Sequence, residues 1–182
     1  MKFALTGRPG IGKTTVVKKL AEALGSRAVG FWTQELRRGG RRVGFELVRT
    51  DGKRALLASV DRPSPYRVGR YFVYPEVLDS LAVPFLEEAL REPEGKVFLI
   101  DEVGKMELLS PSFVNLIEKL IDAELDAVLT VPLKTVHPVV ARIKNSGKFK
   151  LIHLTEKNRD SVPERILKAL EGRDGEKGEE GS

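Results

Sequence analysis

The stretch Gly7-Arg8-Pro9-Gly10-Ile11-Gly12-Lys13-Thr14 gathers three glycines, an ammonium group and a hydroxyl into one short turn. Glycines at this spacing let backbone N–H groups point inward at an anion. Lys13 brings charge to β- and γ-phosphates, and the Thr14 hydroxyl is a hard oxygen donor suited to Mg²⁺. The expected nucleotide contacts run through Gly7, Arg8, Pro9, Gly10, Ile11, Gly12, Lys13, Thr14 and Thr15. A second chemical pair, Asp101-Glu102, closes the apolar run Val97-Phe98-Leu99-Ile100. An acid ending a buried strand is the Mg²⁺ partner a phosphate loop requires, which assigns Asp101 with Thr14 to the metal. Glu102 then stands where a carboxylate orients or deprotonates water in line with a γ-phosphate, which makes Lys13 and Glu102 the catalytic candidates.

These residues need a strand, a helix and a second strand to hold them. The apolar Lys2–Thr6 run precedes the glycine turn. Val16, Val17, Leu20, Ala21 and Leu24 share one helical face behind it, with Gly25 as the stop. Residues 29–36 and 43–48 read as strands of a hairpin turning at Gly39-Gly40, followed by strands at 55–60 and 71–74, with 61–70 as an arginine-bearing loop. Pro75 opens a helical stretch expected to kink at Pro84. Ser110-Pro111 starts another helix, 127–131 is a strand, 135–144 a helix and 151–154 the last strand. Ser161-Val162-Pro163-Glu164 has the pattern of a capping box, for a helix ending at Gly172. Alternating strands and helices predict an α/β fold with an open, mostly parallel sheet flanked by helices. One domain is expected over 1–172, with a β-rich insertion about 30–74 and a disordered tail over 173–182.

Composition narrows the alternatives. A chain of 182 residues buries a sufficient core for one domain without crosslinks. The absence of cysteine excludes disulfides, thiol catalysis and thiolate metal sites. His137 and His153, the two histidines, have no zinc-ligand spacing. No run approaches the ~20 apolar residues that span a bilayer, and no leader precedes the first strand, so a cytoplasmic protein without a membrane partner is expected. The net charge is +5, and the acidic tail leaves the preceding chain more basic still, a balance that fits phosphate-rich ligands. One glutamine, three asparagines, no cysteine and 31% charged residues match a heat-adapted protein.

Beyond the glycine turn, several stretches resemble the small P-loop nucleoside-triphosphatase family known from thermophiles and from a cancer-related eukaryotic form. They are Gly7–Thr15 (GRPGIGKTT), Gly30–Glu35 (GFWTQE), Arg41–Phe45 (RRVGF), Asp101–Leu108 (DEVGKMEL) and Thr155–Asp160 (TEKNRD). Val103 stands where that family carries isoleucine, an exchange within the apolar class. The resemblance implies an additional-strand, RecA/AAA-like sheet. It also implies Mg²⁺-dependent hydrolysis of ATP, GTP, CTP and UTP with weak base preference.

Other readings stay beside this one. Lys105 and Glu107 either position water or phosphate, or form a solvated loop pair. In the loop 156–160, Asn158 and Arg159 lie on the nucleotide edge of a parallel sheet, where Arg159 either grips phosphate or base or pairs with Asp160. Trp32 and Phe31 read as core. Arg37, Arg38, Arg41 and Arg42 read as a solvated hairpin tip, with RNA as the competing ligand. A nucleotide or polynucleotide kinase, and an NTP-gated switch on nucleic acid, are the alternative functions; a monomer is expected.

Overall fold

The computed structural model describes residues 1–179. Strand β1 (Lys2–Thr6) buries Phe3, Ala4 and Leu5 and delivers the chain into the glycine turn. Helix α1 (Lys13–Leu24) buries Val16, Val17, Leu20 and Leu24 and ends at Gly25, as the spacing predicts. Strands β2 (Ala28–Arg38) and β3 (Arg41–Arg49) form the expected hairpin. Gly39 and Gly40 close it at φ 57° and 78°, a pair of left-handed residues that matches strand twist. Strand β4 (Arg54–Ser59) follows, then β5 (Tyr66–Val68) and β6 (Tyr71–Val73).

Strand β5 corrects the sequence reading, which left 61–70 as loop. Tyr66, Arg67 and Val68 pair antiparallel with Val73, Phe72 and Tyr71 across the turn at Gly69. The stretch after Pro75 also differs. Leu78–Ala82 forms a π-helical turn, and helix α2 (Val83–Arg91) begins only after it, with Pro84 in the first turn. A proline there removes an N–H that has no helical partner, so the irregularity precedes Pro84 rather than being a kink at it.

Strand β7 (Val97–Ile100) is buried throughout. Helix α3 (Pro111–Asp122) is capped by Ser110, whose hydroxyl accepts the Phe113 N–H at 3.1 Å. Strand β8 (Asp126–Thr130) leads to helix α4 (Pro138–Asn145), which starts later than the expected 135 because His137 Nδ1 caps it by accepting the Val139 N–H. Strand β9 (Lys150–His153) precedes helix α5 (Val162–Glu179), which continues past Gly172, where the sequence sets its end. The Ser161 hydroxyl donates to the Asn158 carbonyl at 3.0 Å, so it closes the preceding loop. Of the tail expected to be disordered, residues 180–182 lie outside the described residues.

All nine strands belong to one sheet in the order β5-β6-β4-β3-β2-β7-β8-β1-β9. The five from β2 to β9 pair in parallel, and the four beyond β2 pair antiparallel. The sheet is therefore mixed rather than mostly parallel, and the insertion prolongs it instead of standing apart. Strand β8 lies between β1 and β7, the added strand of the expected class. Helices α2, α3 and α4 cover one face, where Phe31, Phe98, Ile100, Phe113 and Leu116 pack. Helices α1 and α5 cover the other, with Leu5, Leu20, Leu99 and Ile166. Alternate residues of β7 thus enter different cores, which is why its sequence is apolar without interruption.

Candidate active site

The glycine turn is shaped by Gly10 and Gly12, at φ 81° and 115°, conformations that other residues rarely adopt. Lys13 bends back over it. Its Nζ donates to the Gly7 carbonyl at 3.1 Å and lies 3.2 Å from Glu102 Oε2, so the two catalytic candidates are an ion pair. Thr14 Oγ1 donates to Asp101 Oδ2 at 2.7 Å. The phosphate turn and the end of β7 therefore meet through both expected pairs.

Asp101 is 2% exposed. Its other hydrogen bonds come from Thr130 Oγ1 at 2.7 Å and the Thr33 N–H at 3.4 Å, so every partner is uncharged. Burial raises its pKa to about 6; the Thr130 and Thr14 hydroxyls oppose that shift, and the Glu102 charge adds to it. A buried carboxylate beside a threonine hydroxyl, with no cation attached, is a hard-oxygen donor set that fits Mg²⁺. Asp101, Glu102 and Glu107 stand close together, but no group of three His, Cys, Asp or Glu side chains among the described residues is placed to hold a metal ion by itself.

Beyond Glu102 the chain turns tightly. A Cβ on Gly104 would stand 2.5 Å from Glu102 Oε1 and 3.2 Å from Glu107 Oε1, so two carboxyls converge on a position with no room for a side chain. Glu107 is 5% exposed, and burial first, then the charges of Glu102 and Asp101, pushes its pKa well above the usual carboxylate range. It is no solvated loop residue; Lys105 is exposed.

A cleft of about 920 Å³ opens over these groups, lined by Gly7, Pro9, Gly10, Gly12, Lys13, Thr14 and Thr15 on one side and by Asp101, Glu102 and Glu107 on another. Ile11 is buried beneath the turn, and Arg8 points outward to Glu156 at 2.6 Å. The loop after β9 reaches the turn at Ile11 and Gly12. Arg159 Nη1 donates to the Ile11 carbonyl at 3.4 Å. Asn158 is occupied in shaping that loop, accepting the Thr155 N–H at 2.8 Å and donating to the His153 carbonyl at 2.9 Å. Neither Asn158 nor Arg159 lines the cleft.

Sequence reading missed Thr130 and Thr33. Both contact Asp101 from other strands, and the one available signal was a hydroxyl ending the apolar run Ala127–Leu129. Of the hairpin arginines, Arg37 and Arg42 share Glu35 at 3.1 and 3.0 Å, while Arg38 pairs Asp61 at 3.4 Å.

A glycine turn between β1 and α1, an acid pair ending β7 and an added strand between them define a P-loop NTPase of the additional-strand class. The NTPase family model matches residues 2–167, and the chain belongs to that family. It is 46% identical over 177 residues to the nucleoside-triphosphatase THEP1 of Thermotoga sp. (strain RQ2), covering 97% of this chain and 99% of that protein. The crystal structure of THEP1 from the hyperthermophile Aquifex aeolicus superposes with a TM-score of 0.88 at 44% identity, covering 94% of this chain and 99% of that one. The solution structure of a human cancer-related nucleoside triphosphatase gives a TM-score of 0.79 at 35% identity, covering 94% and 97%.

Proposed function

We propose that the protein hydrolyses nucleoside triphosphates to diphosphate and phosphate with Mg²⁺ as cofactor. The observation that carries this reading is the meeting of Lys13 with Glu102 and of Thr14 with Asp101 at one end of the phosphate turn. The inward N–H groups of the turn and the Lys13 ammonium bind the β- and γ-phosphates. Thr14 and Asp101 would hold the metal, which would neutralise charge on the phosphate oxygens. A γ-phosphate competes with Glu102 for Lys13. The carboxylate so released accepts a proton from water as the water oxygen attacks phosphorus and the bond to the β-phosphate oxygen breaks. Contacts made to phosphates rather than to a base favour use of ATP, GTP, CTP and UTP alike.

Both catalytic groups come from one chain, so the proposed chemistry needs no second copy, and we read the protein as a monomer. No described helix is long and apolar enough to cross a membrane, and we read the protein as cytoplasmic. If no arginine finger is well placed in cis, turnover is expected at ~10⁻² s⁻¹ or below at moderate temperature. Phosphate release with each NTP, with and without Mg²⁺, tests the reading directly. Glu102→Gln should retain Mg²⁺-NTP and slow hydrolysis by roughly 10²–10⁴-fold. Wild-type hydrolysis by Lys13→Ala would overturn the assignment.

A further inference from the structure

The cleft does not end at the catalytic pair. It continues along the insertion, where Arg37, Arg42, Phe45 and Val68 line it together with Met106 and Val136. Arg37 pairs with Arg42 and Glu35 with Phe45 across β2 and β3, with a register shift between Leu36 and Arg37, and all four line the cleft. Thr33, whose N–H reaches Asp101, is on the same strand four residues before Arg37, about 13 Å away at roughly 3.3 Å per residue. The backbone of the arginine pair is therefore set apart from the Asp101 end of the site.

The charges here are arranged for a ligand. One carboxylate, Glu35, lies between two guanidinium groups, holding Arg42 through Nε and Arg37 through Nη2, so a positive charge is left over at that end of the cleft. The second arginine nitrogen, Arg37 Nη1, is turned onto the Gly40 carbonyl at 3.1 Å, which fixes its fork. Lys105 and Lys134 line the same cleft from the segments after β7 and β8, and neither has an acidic partner among the described residues. Phe45, Val68, Met106 and Val136 are partly buried against the main core and present an apolar surface beside these cations. Apolar walls with a few convergent charges are the make-up of a small-molecule site.

We propose that this end of the cleft is a second-ligand subsite for a small phosphorylated molecule with a planar or apolar body of mononucleotide size. Its phosphate meets the Arg37–Arg42 pair and its body covers Phe45 and Met106 while a nucleoside triphosphate occupies the phosphate turn. The inference rests on the nucleotide reading above.

The test is calorimetry on the full chain saturated with Mg²⁺ and a non-hydrolysable ATP analogue. The four ribonucleoside 5′-monophosphates are then titrated, with the unphosphorylated nucleosides and inorganic phosphate as controls. At least one monophosphate should bind saturably, with its nucleoside about tenfold weaker or worse. The double variant Arg37→Ala/Arg42→Ala should lose about tenfold or more of that affinity while analogue binding stays within about twofold. Glu35→Gln, which removes the shared carboxylate, should tighten monophosphate binding. Successful loading followed by no saturable monophosphate binding, or binding indifferent to both variants, overturns the subsite alone. Failure of the analogue to bind overturns the nucleotide reading, and the subsite with it.

Discussion

Asp101 meets only hydroxyls and an amide, so no cationic side chain among its hydrogen-bond partners balances its charge, which the proposed Mg²⁺ would do. Its pKa, raised to about 6 by burial, has a direct consequence for pH dependence. Below that value a proton occupies the carboxylate and must be displaced, whereas above it the metal meets a bare anion. Apparent Mg²⁺ affinity should then fall by up to about tenfold per pH unit below 6 and level off above it. Mg²⁺ activation of hydrolysis at several pH values, corrected for chelation by free nucleotide, measures this; a flat response between pH 5 and 8 would refute it. Gly104 gives the second prediction at this scale. A methyl group there meets Glu102 Oε1 at 2.5 Å, so Gly104→Ala should move the carboxylate and lower kcat, by about 10²-fold for a shift near 1 Å. The KM for NTP should change by less than kcat, because of the phosphate turn only the Lys13–Glu102 pair is disturbed, and the kcat-against-KM split checks that.

The loop between β9 and α5 is the element whose part is sharpest to test. Arg159 donates to the Ile11 carbonyl of the phosphate turn and runs beside Gly12, without lining the cleft itself. Arg159→Ala should raise KM by roughly three- to tenfold with kcat nearly unchanged, since the guanidinium supports the binding turn and is not directed at the reacting phosphate. A selective fall in kcat would instead place it at the γ-phosphate. Elements of this kind differ in how much of them a sequence reveals. The phosphate turn was legible because its chemistry is local, with glycines, lysine and threonine contiguous along the chain. Strand β7 was legible because burial on both faces leaves an unbroken apolar run. Strand β5 was not, since Tyr-Arg-Val is too short to display a period and is a strand only because β6 is beside it. The same limit hid Thr130 and Thr33, which reach Asp101 from neighbouring strands. It also hid the π-helical turn before α2, a tertiary accommodation that the pattern around Pro84 misassigned.

At the scale of the whole molecule, the scarcity of Gln and Asn, the lack of Cys and the dense charge predict a melting midpoint well above the roughly 45–65 °C of mesophile domains. Scanning calorimetry decides it. The shape of that transition follows from strand β2, which pairs in parallel with β7 on one edge and antiparallel with β3 on the other. The insertion cannot come away without stripping one edge of β2, and the parallel half cannot loosen without stripping the other. Unfolding should therefore be a single cooperative event, with calorimetric and van't Hoff enthalpies in agreement and the amides of β2 and β7 the last to exchange with deuterium. Hydrogen exchange in which residues 41–73 open well before β7 would show two foldons where the shared strand calls for one. If they open together, this protein passes from working to wholly unfolded with no populated state in which the nucleotide half stands alone.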